Sequence, residues 1–122
     1  MSRQTAAPAN EVQLTGRVSG EPTEREMPSG DRLVQLRVVV PRPLRRARSR
    51  DTTGSTGTRR QVDTIDVACW TARTRAAALR LTDGSGVQVE GALRRRFFRT
   101  GSGAVSRYEV EASALRSVDL TE

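Results

Sequence analysis

The sequence predicts an all-β fold, a small barrel that carries one short helix. Three observations predict it. Apolar residues alternate with polar ones along short runs, turn-forming clusters separate those runs, and only one stretch has helical spacing. The chain has 122 residues, of which 35% are hydrophobic. That length suits one domain with a modest core, and the low apolar fraction favours a barrel over a thick helical bundle.

Residues 1–9 are small, polar and proline-containing, and are predicted to be loose. The domain proper is placed at residues 10–118, with residues 119–122 as a short end. Val12, Leu14, Gly16 and Val18 then fall on one face of a first strand, against Gln13, Thr15 and Arg17. Met27 to Asp31, with proline, serine and glycine between, is a turn signal. Val34, Leu36, Val38 and Val40 alternate along a second strand, which Pro41 and Pro43 stop. From 41 to 61 the chain is rich in arginine, serine, threonine and glycine and has no apolar period. Such a segment has too little to bury, so a long flexible basic loop is expected there.

A third strand is expected from about Val62 to Trp70, with Ile65, Val67 and Cys69 facing the core. Thr71 is a plausible N-cap for a helix to Leu81, and Asp83 to Gly86 ends it. A fourth strand buries Val87, Val89, Gly91 and Leu93; Thr100 to Gly103 is a hairpin tip, and a last strand returns from about Val105 to Val118. The helix thus lies between strands three and four. That order is the one found in an OB-fold, a five-stranded, partly open Greek-key barrel, although an open antiparallel sheet with one helix would share most of the pattern.

Charge narrows the function. All 21 basic residues are arginine, and they stand against 14 acids for a net charge of +7. Arginine without lysine is also what a GC-rich genome produces, so the clustering carries the argument. Seven arginines and one acid lie between Arg42 and Arg60, and four arginines and no acid between Arg94 and Arg99. Two concentrated positive segments on a small domain point to a polyanion partner.

Strand parity suggests where that partner sits. If alternation continues past Leu93, then Arg94, Arg96 and Phe98 turn to the outer face, while Arg95 and Phe97 keep the core parity beyond the barrel rim. Trp70 falls on the outer face with Thr64 and Ala68, and so does Asp66, which opposes phosphate locally. Arg17 and Arg37 occupy the outer faces of the first two strands. Rings stack on bases whatever their identity, at roughly 1–3 kcal/mol per base. Arginines neutralise phosphates, which makes affinity fall with salt. Trp70, Phe98, Arg17, Arg37, Arg94 and Arg96, with Arg45, Arg46, Arg59 and Arg60 of the loop, are therefore the expected nucleic-acid-binding residues.

Catalysis is not expected. The chain has no histidine to act as a base and no lysine to complete a phosphate-binding loop. One cysteine without histidine excludes the usual zinc sets and any internal disulfide. No cofactor is expected. Absence of a signal-peptide pattern or membrane-length apolar run points to a cytoplasmic protein, nucleoid-associated if the polyanion is DNA.

The residues also resemble a known family, the bacterial single-stranded DNA-binding proteins of actinobacterial type. The resemblance rests on Asn10 to Val18, on Met27 to Gly30 followed by a β-run, and on Val62 to Trp70. It continues through Gly86 to Arg94 and Tyr108 to Glu111, so it spans about Asn10 to Leu115. It implies an OB-fold that assembles as a homotetramer, or as a dimer, and wraps single-stranded DNA in replication, recombination or repair. By position, Trp70 matches a stacking aromatic of the family and Phe98 a stacking tryptophan, while the 42–61 segment matches a mobile loop. Two further stacking tryptophans of the family fall at Leu44 and Thr64 here, which shifts weight from stacking to arginine. Family members usually continue into a polar linker and an acidic tip, whereas this sequence ends at Thr121-Glu122; either a truncated chain or a tail-less paralogue is expected, and the recruiting role of the tip is not carried over. The rival readings are a tail-less interaction subunit of primosomal type, whose partner is protein, and an RNA binder.

Overall fold

Valine-rich alternation builds β1 (Val12–Val18), and after a short polar β2 (Thr23–Glu26) it builds β3 (Arg32–Pro41) and β4 (Val62–Cys69). Helix α1 (Ala72–Leu79) follows, then the long strands β5 (Gly86–Thr100) and β6 (Gly103–Ser117). This is a computed structural model, and it describes residues 3–43 and 61–121. The five expected strands are all present, and the helix lies between β4 and β5. The sixth strand, β2, gave no signal because its Thr-Glu-Arg-Glu is exposed at every position and has no apolar face.

The strand order is β1-β5-β6-β4-β3-β2, and an added β1–β3 pairing brings the order round into a ring. The joins are unequal. β1 meets β3 through Arg17↔Val39 and Val18↔Val38 alone. β4 meets β6, in parallel, through Val67↔Val110 and Ala68↔Glu111 alone. All other pairings are antiparallel and longer. The ring is therefore two three-stranded antiparallel sheets, β1-β5-β6 and β2-β3-β4, clasped along two short joins.

Both sheets feed one core. Val18, Val87, Val89, Val110 and Ala112 come from the first, Val34, Leu36, Val38, Val67 and Cys69 from the second, and Ala78 and Leu81 from α1 and its end. At the β1–β3 join the strands touch so closely that a Cβ on Gly16 would lie 2.4 Å from the Val39 carbonyl oxygen. Only glycine fits there. Thr71 caps α1 as its sequence suggests: its Oγ1 accepts from the Thr74 amide at 3.1 Å. The helix ends at Leu79 and Arg80 caps it, its amide donating to the Ala77 carbonyl at 3.3 Å.

Two burial expectations are corrected. Ala68, placed by parity on the wet face, is fully buried; it is a small side chain between its larger cross-strand partners Gln35 and Glu111. Leu93, placed in the core, is 45% exposed. It keeps the core parity opposite Val110, but β1 stops pairing with β5 at Gly91, so no third strand covers it. Among the described residues no helix is long and apolar enough to cross a membrane.

Candidate nucleic-acid interface

The site begins where the barrel ends. β5 and β6 have 15 residues each, and their pairing runs on to Thr100↔Gly103. Beyond Leu93 neither strand has another partner, so the hairpin continues as a two-stranded arm. A one-residue shift marks its root: Glu90 faces Ala114 but Gly91 faces Ala112, which leaves Ser113 as the extra residue. The Ser113 hydroxyl donates to the Glu90 carbonyl at 3.1 Å, and such a bulge adds bend and twist to its strand.

Parity then sorts the arm into two faces. Arg94, Arg96 and Phe98 stand on the outer one, opposite Glu109, Arg107 and Val105. The Arg96 guanidinium lies 5.1 Å from the ring centre of Trp70, which is half-buried just past the end of β4. The Arg107 guanidinium lies 5.6 Å from the ring of Phe98. Because Arg96 and Arg107 are cross-strand partners, the two rings and two cations form one row, Trp70–Arg96–Arg107–Phe98. Phe98 is 40% exposed.

Acids thread the same face. Arg37 donates to Asp66, its cross-strand partner, at 3.3 Å, and Arg107 approaches the other Asp66 oxygen at 3.9 Å. Arg96 reaches the buried Glu109 at 3.3 Å and Arg94 reaches Glu111 at 3.0 Å, while on the opposite face of β4 Arg42 reaches Asp63 at 2.9 Å. The Asp63 hydrogen bond and charge hold the Arg42 guanidinium above its usual pKa. A shallow groove beside the row is lined by Ser19, Glu21, Gln35, Arg37, Asp66 and Arg107. Arg17 stands on β1 opposite Val39, diagonal to Arg37. These pairs hold the guanidiniums in fixed positions, but a phosphate must compete with a carboxylate for each.

The other face of the arm carries a second cluster. Arg95 lies 5.2 Å from the ring of Phe97 and 5.4 Å from that of Tyr108. Its guanidinium donates to the Ser106 hydroxyl at 3.0 and 3.2 Å. Phe97 and Tyr108 are 72% and 57% exposed. Sequence parity put Arg95 and Phe97 on this side beyond the rim but did not bring Tyr108 to them. Registering the hairpin on its Gly101-Ser102 tip, which sets Arg95 opposite Tyr108, would have found it.

The remaining expected residues are not all in view. Arg45, Arg46, Arg59 and Arg60, like Leu44 and most of the basic loop, lie outside the described residues. The base of that loop is tied by the Arg42 amide donating to the Gln61 carbonyl at 2.9 Å. Thr64 is exposed on β4. Among the described residues no group of acids and cysteine could hold a metal ion. Cys69 is buried, and desolvation pushes its thiol up to about 12 against a partial offset from a Thr74 hydrogen bond.

With this geometry in place, the chain can be set beside known proteins. A model of the Single-strand binding protein family matches residues 9–118. The fold is similar to a solved structure described as Plasmodium falciparum SSB in complex with ssDNA, at a TM-score of 0.72 and 20% identity, covering 95% of this chain and 100% of that one. The sequence matches no curated protein.

Proposed function

Since the chain belongs to the Single-strand binding protein family, its model matching residues 9–118, we propose that it binds single-stranded DNA along the Trp70–Phe98 row, without strong sequence preference. The observation that carries this reading is the row itself, two partly exposed rings held in line by Arg96 and Arg107. Bases stack on the rings while phosphates draw on Arg17, Arg37, Arg94, Arg96 and Arg107. The arginines at 45, 46, 59 and 60, in the segment between β3 and β4, add to the positive charge that draws the strand. The domain spans residues 10–118 and works as a homo-oligomer, in replication, recombination or repair, as a protective coat on exposed strands.

Trp70 is the sole tryptophan of the chain, so its fluorescence reports on this face. Oligo(dT) is expected to quench it, with an affinity that falls steeply as salt rises. Trp70→Ala is expected to weaken binding by about tenfold, the loss of one stacked base. Equal affinity for duplex and single strand, measured by anisotropy at one salt concentration, would sink the reading. Sedimentation at several concentrations gives the oligomeric state.

A further inference from the structure

The two faces of the arm differ in their charge balance. On the outer face Arg37, Arg94, Arg96 and Arg107 all meet carboxylates. On the opposite face Arg95 and Arg99 stand across from Tyr108 and Ala104, with Phe97 and Ser106 between them. Among the described residues no acid belongs to that face, and neither Arg95 nor Arg99 meets a carboxylate. Its rings are also the barer ones, Phe97 at 72% and Tyr108 at 57% exposure against 40% for Phe98.

We infer that this second face, Arg95, Phe97, Arg99 and Tyr108, is itself a binding site for single-stranded DNA. The strand would then run over both sides of the arm. Charge complementarity selects the occupant. An unneutralised cationic face suits a polyanion, and a flat guanidinium between two exposed rings suits planar bases. A protein partner that buried this face would have to desolvate Arg95 and Arg99 and supply acids for both. A nucleic-acid strand brings one negative charge with each base it stacks. The Ser106 hydroxyl helps hold the Arg95 guanidinium in place, since it accepts from both Nε and one terminal nitrogen. The outer face positions a strand by exchanging carboxylates for phosphates. The second face gains phosphates with nothing to displace.

This inference rests on the proposed DNA binding, and the test separates the two. Oligo(dT) carrying 5-iodo-deoxyuridine would be irradiated with the unaltered protein, and the adducts mapped by peptide fragmentation. Adducts are expected at Tyr108 and Phe97 as well as at Trp70 or Phe98. Adducts confined to Trp70 and Phe98 would overturn the second site and leave the first standing. Absence of both adducts and Trp70 quenching would overturn both. The paired variant Phe97→Ala/Tyr108→Ala gives an independent check. It is expected to bind long oligo(dT) about five- to tenfold more weakly, yet still to show quenched Trp70 at saturation. Unchanged affinity at every length overturns the inference. So does loss of self-association without loss of DNA affinity, which would assign the face to a second copy of the chain.

Discussion

Asp66 sits between two guanidiniums of the proposed binding face, 3.3 Å from Arg37 and 3.9 Å from Arg107, and a phosphate drawn to either must compete with it. Exposed pairs of this kind add only about 0–1 kcal/mol to stability. Asp66→Asn should therefore fold normally while releasing two cations. Its affinity for oligo(dT) is expected to rise several-fold at low salt, and the log–log salt slope to steepen by about 0.7 for each phosphate gained; anisotropy titrations at four or five salt concentrations would show it. Cys69 yields a pH prediction. Burial raises its thiol from 9.0 to about 12, so between those values the unfolded chain loses a proton that the folded chain keeps. Stability from this group is whole below pH 9 and is lost as pH climbs toward 12. Alkylation by iodoacetamide at pH 8 is accordingly expected only as fast as the protein unfolds. At this scale the sequence was legible wherever parity decided the matter, as for Arg96 and Phe98. It failed at Ala68 and Leu93, where the size of neighbours and the end of a pairing strand decided burial.

Among the elements, β1, β3, β4 and β5 could be read directly, because one face of each is apolar and the other is not. β2 could not, since a strand held by backbone pairing and one polar side-chain bond, Arg25 to Gln35, has no apolar face to leave a trace in the pattern. The arm was half legible: its outer row followed from counting, whereas its second cluster needs the cross-strand register that joins Arg95 to Tyr108. The joins between strands were invisible altogether. Gly16 marks one of them. Its Cβ position lies 2.4 Å from the Val39 oxygen and about as close as contact allows to Val38 and Val40, at 3.1 and 3.0 Å. Gly16→Ala must push β1 from β3, where backbone cannot yield cheaply. A loss of about 1–3 kcal/mol is expected, read as a lower urea midpoint with an unchanged slope.

At the level of the whole molecule, composition indicated a basic barrel, and the structure adds how its charge is arranged. The described positive residues are not a uniform coat: one side of the arm is balanced by acids and the other is not. The two-sheet construction matters as well. Trp70 follows β4 and belongs to the sheet β2-β3-β4, whereas Phe98 rides on β5 in the sheet β1-β5-β6. Two residue pairs at each join set those halves edge to edge, helped by the Ser19 amide donating to the Arg37 carbonyl at one join and by Arg107 approaching Asp66 at the other. A strand bound as proposed, on both rings, is therefore expected to work as a staple across the seam. Occupancy of the proposed site then adds to the hold of the shared core, and the unliganded molecule is expected to melt at a lower temperature than the liganded one.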